Sequence, residues 1–358
     1  MRVQSMTFSK SRLGWVYLLT VGGANRVCRE CPMLFGMRGM ADLKVANVAF
    51  AASFIAIVMG IAVSQAPARA EERVDFWGFA GFEELDTLSD DGSMSQTSDL
   101  DTAAVLEGRL RYQNRYTSLQ RFRAEVNGRT RRFLDFDDRS SNRVRSRAEW
   151  HSYFSERRRT ELRLRAEHEY KWRDDDWIFN RLRARAELRH EINPRNLVFA
   201  IGQVGQTDFN DEVATGLDHV RYVGEIGHEW TPNEDRTRLR TRIGIETADA
   251  DEDRRSYDGV YVAVDGRHPI GERTEIFGEG RIHLRDYDGA FALPDPTMRE
   301  DERYRLTGGA RYAINRYFDL IGEAGWAANH ANVDERQYDG FVFRLGVETN
   351  FNIWRSDD

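Results

Sequence analysis

Beyond Val63 the sequence has no long apolar run, no cysteine and a single lysine, Lys171. The missing apolar run excludes a helical membrane span there. It leaves a membrane barrel open, because barrel strands alternate and never build such runs. The missing cysteines exclude disulfide staples, since Cys28 and Cys31 both lie upstream. Their C-x-x-C spacing alone does not make a zinc site. The other 43 basic residues of 71–358 are arginine, whose planar, permanently charged fork suits an ionic lattice in a confined space. A cationic excess is also lacking. Residues 71–358 carry 44 basic and 57 acidic side chains, a net charge of −13, which argues against nucleic acid as a partner.

The one long apolar stretch is "VANVAFAASFIAIVMGIAV" at 45–63, preceded by Lys44 and followed by Ala68-Arg69-Ala70. A basic flank, an apolar segment and a small-x-small site together read as a signal peptide. Met37 or Met40 is the expected start and Ala70 the last residue removed, so 71–358 is the expected mature chain.

"TELRLRAEHEYKW" (160–172) is rich in good helix formers. On a helix, however, residues two apart point about 200° from each other, so its alternation gives no apolar face. On a strand, Leu162, Leu164, Ala166, Tyr170 and Trp172 share one side, with only His168 breaking it. Glu161, Arg163, Arg165, Glu167, Glu169 and Lys171 share the other. Period decides against composition.

The same pattern recurs in fourteen segments, about 74–85, 103–116, 119–129, 143–154, 159–172, 179–192, 197–207, 219–230, 237–248, 257–268, 273–286, 303–314, 317–329 and 338–354. Most exceed the usual globular strand of about 5–6 residues and meet the roughly 9–11 that a tilted strand needs to cross a bilayer. Short connections (Thr117-Ser118, 155–158, 193–196, 231–236, 269–272, Asn315-Arg316) alternate with longer, Asp-rich ones that include 86–102, 130–142, 208–218, 249–256 and 287–302. Aromatic residues near strand ends (Tyr116, Phe154, Trp172, Trp230, Tyr312, Phe351) suit interfacial girdles. The fold class is all-β, a transmembrane antiparallel up-and-down β-barrel of about fourteen strands.

Energy orients the faces. A lipid-facing Arg at mid-bilayer costs about 2–4 kcal/mol, so the ionic face must line the lumen. The expected inward residues are Arg109 and Arg111 in the second segment, Arg121 and Arg123 in the third, and Arg143, Arg145 and Arg147 in the fourth. Arg163, Arg165 and Glu167 follow, then Arg181, Arg183, Arg185 and Glu187, and later Arg238, Arg240 and Arg242. A turn centred on Asp175 sets Glu169, Glu167, Arg163 and Glu161 opposite Arg181, Arg183, Glu187 and Arg189, with Arg165–Arg185 the one like pair. A turn at 231–236 sets Glu229, Glu225 and Arg221 opposite Arg238, Arg242 and Glu246. Segment 257–268, apolar on both faces, has no clear orientation.

This alternation over 74–354, with the ending "FVFRLGVETNFNIW", resembles Gram-negative outer-membrane β-barrels. Their last strand typically carries an assembly signal, polar-x-Gly-x-x-apolar-x-apolar. Arg344, Gly346, Thr349 and Phe351 fall on it, with Thr349 a departure. The resemblance implies an outer-membrane location, with lipid, lipopolysaccharide and the barrel assembly machinery as partners. Fourteen strands without a plug look like a monomeric porin. The count and the Arg/Glu texture are also similar to the barrel of surface lipoprotein assembly modifiers.

The expected function is a channel with an Arg/Glu-lined lumen for passive passage of small or polymeric anionic solutes, since Arg rings favour anions. Export or assembly of a surface polysaccharide or lipoprotein is the second class and requires a periplasmic partner. A purely structural barrel is the third. No enzyme is expected: His151 and His283 face inward, but no Ser/His/Asp spacing accompanies them. No cofactor is implied. "DADEDRRS" opens like a calcium loop at Asp249, Asp251 and Asp253, but has Arg254 where Gly is needed and Val260 where Glu is needed.

Overall fold

The computed structural model describes residues 71–85, 101–134, 139–174, 176–210, 216–232, 237–290 and 297–356. The leader, both cysteines and most of the 86–102 loop lie outside the described residues. The first seven strands are β1 (Glu71–Leu85), β2 (Asp101–Arg115), β3 (Gln120–Phe133), β4 (Ser141–Tyr153), β5 (Thr160–Arg173), β6 (Asp176–Asn193) and β7 (Asn196–Phe209). The rest are β8 (His219–Trp230), β9 (Arg238–Ala250), β10 (Tyr257–Ile270), β11 (Thr274–Ala290), β12 (Met298–Ala313), β13 (Phe318–Ala331) and β14 (Tyr338–Arg355). Each pairs antiparallel with its sequence neighbours, and β1 pairs with β14 to close the barrel. Closure matters in lipid, where an unpaired strand edge has no water to satisfy it.

All fourteen expected segments are strands, and several run further toward the long-loop end. β11 continues to Ala290 and β12 begins at Met298, so much of the expected 287–302 loop is strand. Beside Asp175 the chain turns tightly, with Arg173 opposite Asp176. The start of β1 and the end of β14 lie at the short-turn end. There Gly271 closes the β10–β11 turn with a φ of 70°, a conformation open to glycine at no steric cost.

The outer face is apolar. Leu106, Ile226, Ile245 and Phe341 are each more than 60% exposed, and lipid is the medium that accepts them. Phe154, Trp230, Tyr312 and Phe351 are exposed near the short-turn end, as a girdle requires. His168, the polar interruption in β5, is hydrogen-bonded at 2.6 Å to Asn180 on β6, which removes most of its cost in lipid. β10 resolves its orientation: Val260, Val262 and Val264 are exposed outward, whereas Tyr257, Tyr261 and Ala263 are buried on the inner wall.

On that wall, ring and glycine meet across strands. Phe199 faces Gly227, Tyr261 faces Gly244, and Phe277 faces Gly309. A Cβ at any of these glycines would collide with the ring. The aromatic side chain covers the backbone that glycine leaves bare, a known device for pinning register.

The β5–β6 register is as the charge pattern predicts, from Glu161↔Arg189 to Glu169↔Arg181. The β8–β9 register is not. Glu229 pairs with Arg240 rather than Arg238, and Arg221 with Ala248 rather than Glu246. Trp230 pairs with Leu239, so the ladder closes over 231–238 instead of 231–236, a two-residue slide of β9.

Candidate functional site: the ionic lumen

Because strand side chains alternate and the outer face is apolar, the ion pairs among the described strand residues lie on the inner wall. Across β2 to β6 they form a continuous row. Arg111, Glu125, Arg147, Glu167 and Arg183 stand directly opposite one another on five successive strands. Arg111 donates to Glu125 at 2.8 Å and Arg147 to Glu167 at 2.9 Å, while Arg183 stands 3.0 Å from Glu167. A second row follows, Arg123–Glu149 at 3.2 Å and Glu149–Arg165 at 2.6 Å. The like pair Arg165–Arg185 is relieved sideways, since Arg185 turns to Glu187 at 3.0 Å. Arg163 reaches Glu161 at 2.7 Å, and Arg143 lies 3.6 Å from Glu169.

The remaining expected inward residues also sit on this wall. Arg121 contacts His151 at 3.2 Å, and Arg109 stacks over Trp77 at 4.9 Å. Arg181 lies over Phe179 at 4.5 Å and Arg240 over Phe199 at 4.1 Å. Arg242 and Arg238 share Asp265, at 3.1 and 3.5 Å. Arg145 has no carboxylate within 4 Å among the described residues, and the same holds for Arg305 on β12. Of the assembly-signal residues, Arg344 and Gly346 face inward opposite Glu83 and Gly81, and Thr349 and Phe351 face outward.

Depth separates the two signs. The Glu125, Glu149, Glu167 and Glu187 side chains are only 4–7% exposed, whereas their arginine partners reach 13–30%. Glutamate is the shorter side chain and stays against the backbone, while the longer arginines extend over it. Along β2 to β6 the lumen therefore meets guanidinium groups above their carboxylates. On β10 and β11, Asp265 and Glu279 stay open to it, at 21 and 45%.

Sequence reasoning missed two features. One is an apolar patch inside the wall, where Phe79, Val105 and Ile321 are buried with Trp77 and Phe277 against them. The other is a second arginine group on β8 to β12 near the long loops, including Arg221, Arg285, Arg299 and Arg303. Alternation in 281–287 and 299–305 was the available signal, but starting β12 at 303 left out Arg299 and Asp301.

The inward histidines are held in ionic networks. His151 lies 2.7 Å from Glu161 and 3.4 Å from Glu149, and His283 lies 2.9 Å from Glu246. Among the described residues no three His, Cys, Asp or Glu side chains converge as a metal site.

No protein-family model and no curated protein matches the sequence. Among solved structures, a loop-deletion mutant of OmpT from Vibrio cholerae is similar at 11% identity and a TM-score of 0.45, covering 78% of this chain and 99% of that one. OmpF from Salmonella typhi, in complex with daunomycin, is similar at 8% identity and a TM-score of 0.45, over 78% and 97% of the two chains. An anion-selective porin from Comamonas acidovorans gives 9% and 0.40, over 79% and 100%. At such scores the likeness goes no further than one barrel to another. The chain's own architecture is decisive: closed antiparallel strands, an apolar outer face and an ionic interior. It is a membrane-spanning β-barrel of fourteen strands.

Proposed function

We propose that this barrel is a passive channel for anionic solutes. The observation that carries the reading is the depth order along β2 to β6, with arginine guanidinium groups uppermost and glutamates almost fully covered. A solute in the lumen meets cations first, and rings of Arg favour anions. The pairing that serves selection also braces the wall, so bracing alone is the competing account. The channel reading is preferred to an enzyme because the described hydrogen-bond partners of His151 are Arg121, Glu149 and Glu161, with no hydroxyl nucleophile among them.

Single-channel recording in a planar bilayer under a potassium chloride gradient separates these accounts. The expected result is stable conductance with a reversal potential on the chloride side. A silent barrel, or a reversal potential on the potassium side, overturns the proposal.

A further inference from the structure

Near the long-loop end, the inner wall of β6 to β12 encloses a cavity of about 200 Å³. Seven arginines line it, and among the described residues no acidic side chain does. Arg221, Arg285, Arg299 and Arg303 come from β8, β11 and β12, and Arg181 and Arg183 come from β6. The counter-charges lie underneath. Glu246, fully covered, binds Arg221 and, at 2.9 Å, Arg285. Asp301, also fully covered, binds Arg299 at 2.5 Å and Arg303 at 2.8 Å. Two carboxylates thus serve four arginines.

The seventh arginine, Arg255, belongs to a one-turn 3₁₀ helix (Asp253–Arg255) between β9 and β10. It has no carboxylate within 4 Å among the described residues, and its buried Nε has no acceptor. Burial, together with neighbouring Arg254, pulls its guanidinium below the usual arginine pKa. The backbone fixes it there. Asp288 N–H donates to the Ser256 carbonyl at 3.0 Å, and Asp251 N–H to that of Asp218 at 3.0 Å. Gly289 on β11 lets the loop approach so closely that a Cβ would collide with the Arg254 backbone. Arg285 and Arg299 are likewise held in place, stacked over Tyr257 and Tyr287 at 4.2 and 4.3 Å.

We infer that this cavity is a binding site for a tetrahedral oxyanion, a phosphate or the phosphate group of an ester. Its arginines approach from β6, β8, β11, β12 and the β9–β10 loop, which suits an anion that accepts in several directions at once. The lining is rich in donors and holds no carboxylate to accept from sugar hydroxyls, so a bare oxyanion fits better than a neutral or polyhydroxylated solute. The volume admits such a group together with its hydrating water. Pre-stacked, charge-anchored guanidinium groups lose little freedom on binding, which favours affinity. The inference deepens the channel reading by giving its anion a chemical class and a first station at the loop-side mouth.

Isothermal titration of inorganic phosphate into the purified barrel in detergent tests it without requiring conduction. Saturable binding is expected. The Arg255→Ala variant, which breaks no ion pair, should weaken it about tenfold or more, the loss of a charge-assisted contact. Arg273→Ala, in the β10–β11 turn at the other end, should leave it unchanged. Absence of saturable phosphate binding, an Arg255→Ala affinity equal to wild type, or equally tight binding of succinate overturns the assignment. A silent barrel that still binds phosphate refutes the channel and keeps the site. A conducting barrel that binds none does the reverse.

Discussion

Glu125 accepts from Arg111 at 2.8 Å and lies 3.6 Å from Arg147 and 3.9 Å from Arg109. Its side chain is only 4% exposed, so three guanidinium groups share one covered counter-ion. Glutamine at this position keeps the shape and the oxygen acceptor but removes the charge. Arg111 and Arg147 would then face each other across a neutral group, with water on the lumen side to screen them. Removing one partner of a fully buried pair costs about 3–5 kcal/mol, and the wet side of this wall reduces that to about 1–3 kcal/mol. Glu125→Gln is expected to lower the urea midpoint of folding into lipid vesicles accordingly. A midpoint equal to wild type would show that the row contributes nothing to stability and that its charges serve only the solute.

At the scale of the element, the β8–β9 hairpin separates what alternation specifies from what it leaves free. A one-residue slip would turn every β9 arginine into lipid, so facing is strongly specified. A two-residue slip preserves facing, and the charges then re-pair diagonally. Arg221 still reaches Glu246 although Val223 now stands opposite it, and Arg242 still lies 4.0 Å from Glu225. Cysteines placed at 229 and 240 are expected to cross-link under mild oxidation far more readily than cysteines at 229 and 238, and the absence of cysteine after Cys31 keeps the measurement clean. The same physics marks how far the sequence was legible. All fourteen strands followed from period two, and so did the inward faces of the charged ones. β10, apolar on both faces, took its orientation only from the structure. The β5–β6 register followed from a tight turn and four opposed charge pairs. The β8–β9 register did not, because two registers satisfy its charges. Nor did the depth order or the oxyanion cavity, since both depend on side-chain length and on strands far apart in sequence. Arg255 reaches the cavity only through the backbone contacts of its loop.

Across the whole molecule, bracing and selection use the same residue type, and separating them requires arginines that do one without the other. Arg145 on β4 and Arg305 on β12 are such residues, with no carboxylate within 4 Å among the described residues. In a closed ring of fourteen strands they occupy roughly opposing arcs, so their fields add over the lumen between them. Replacing both with glutamate inverts two lumenal charges without breaking an ion pair. At 305, opposite Arg281, the change should stay within about 0.5 kcal/mol. At 145, a glutamate opposite Glu169 adds a like-charge cost of about 0.2–1 kcal/mol. If the wall selects solutes, the Arg145→Glu/Arg305→Glu barrel should fold like wild type, while its reversal potential under a potassium chloride gradient moves toward the potassium side. The chloride-to-potassium permeability ratio is expected to fall about two- to threefold. If the arginines only brace, the ratio will not move, because the braced rows of β2 to β6 are untouched.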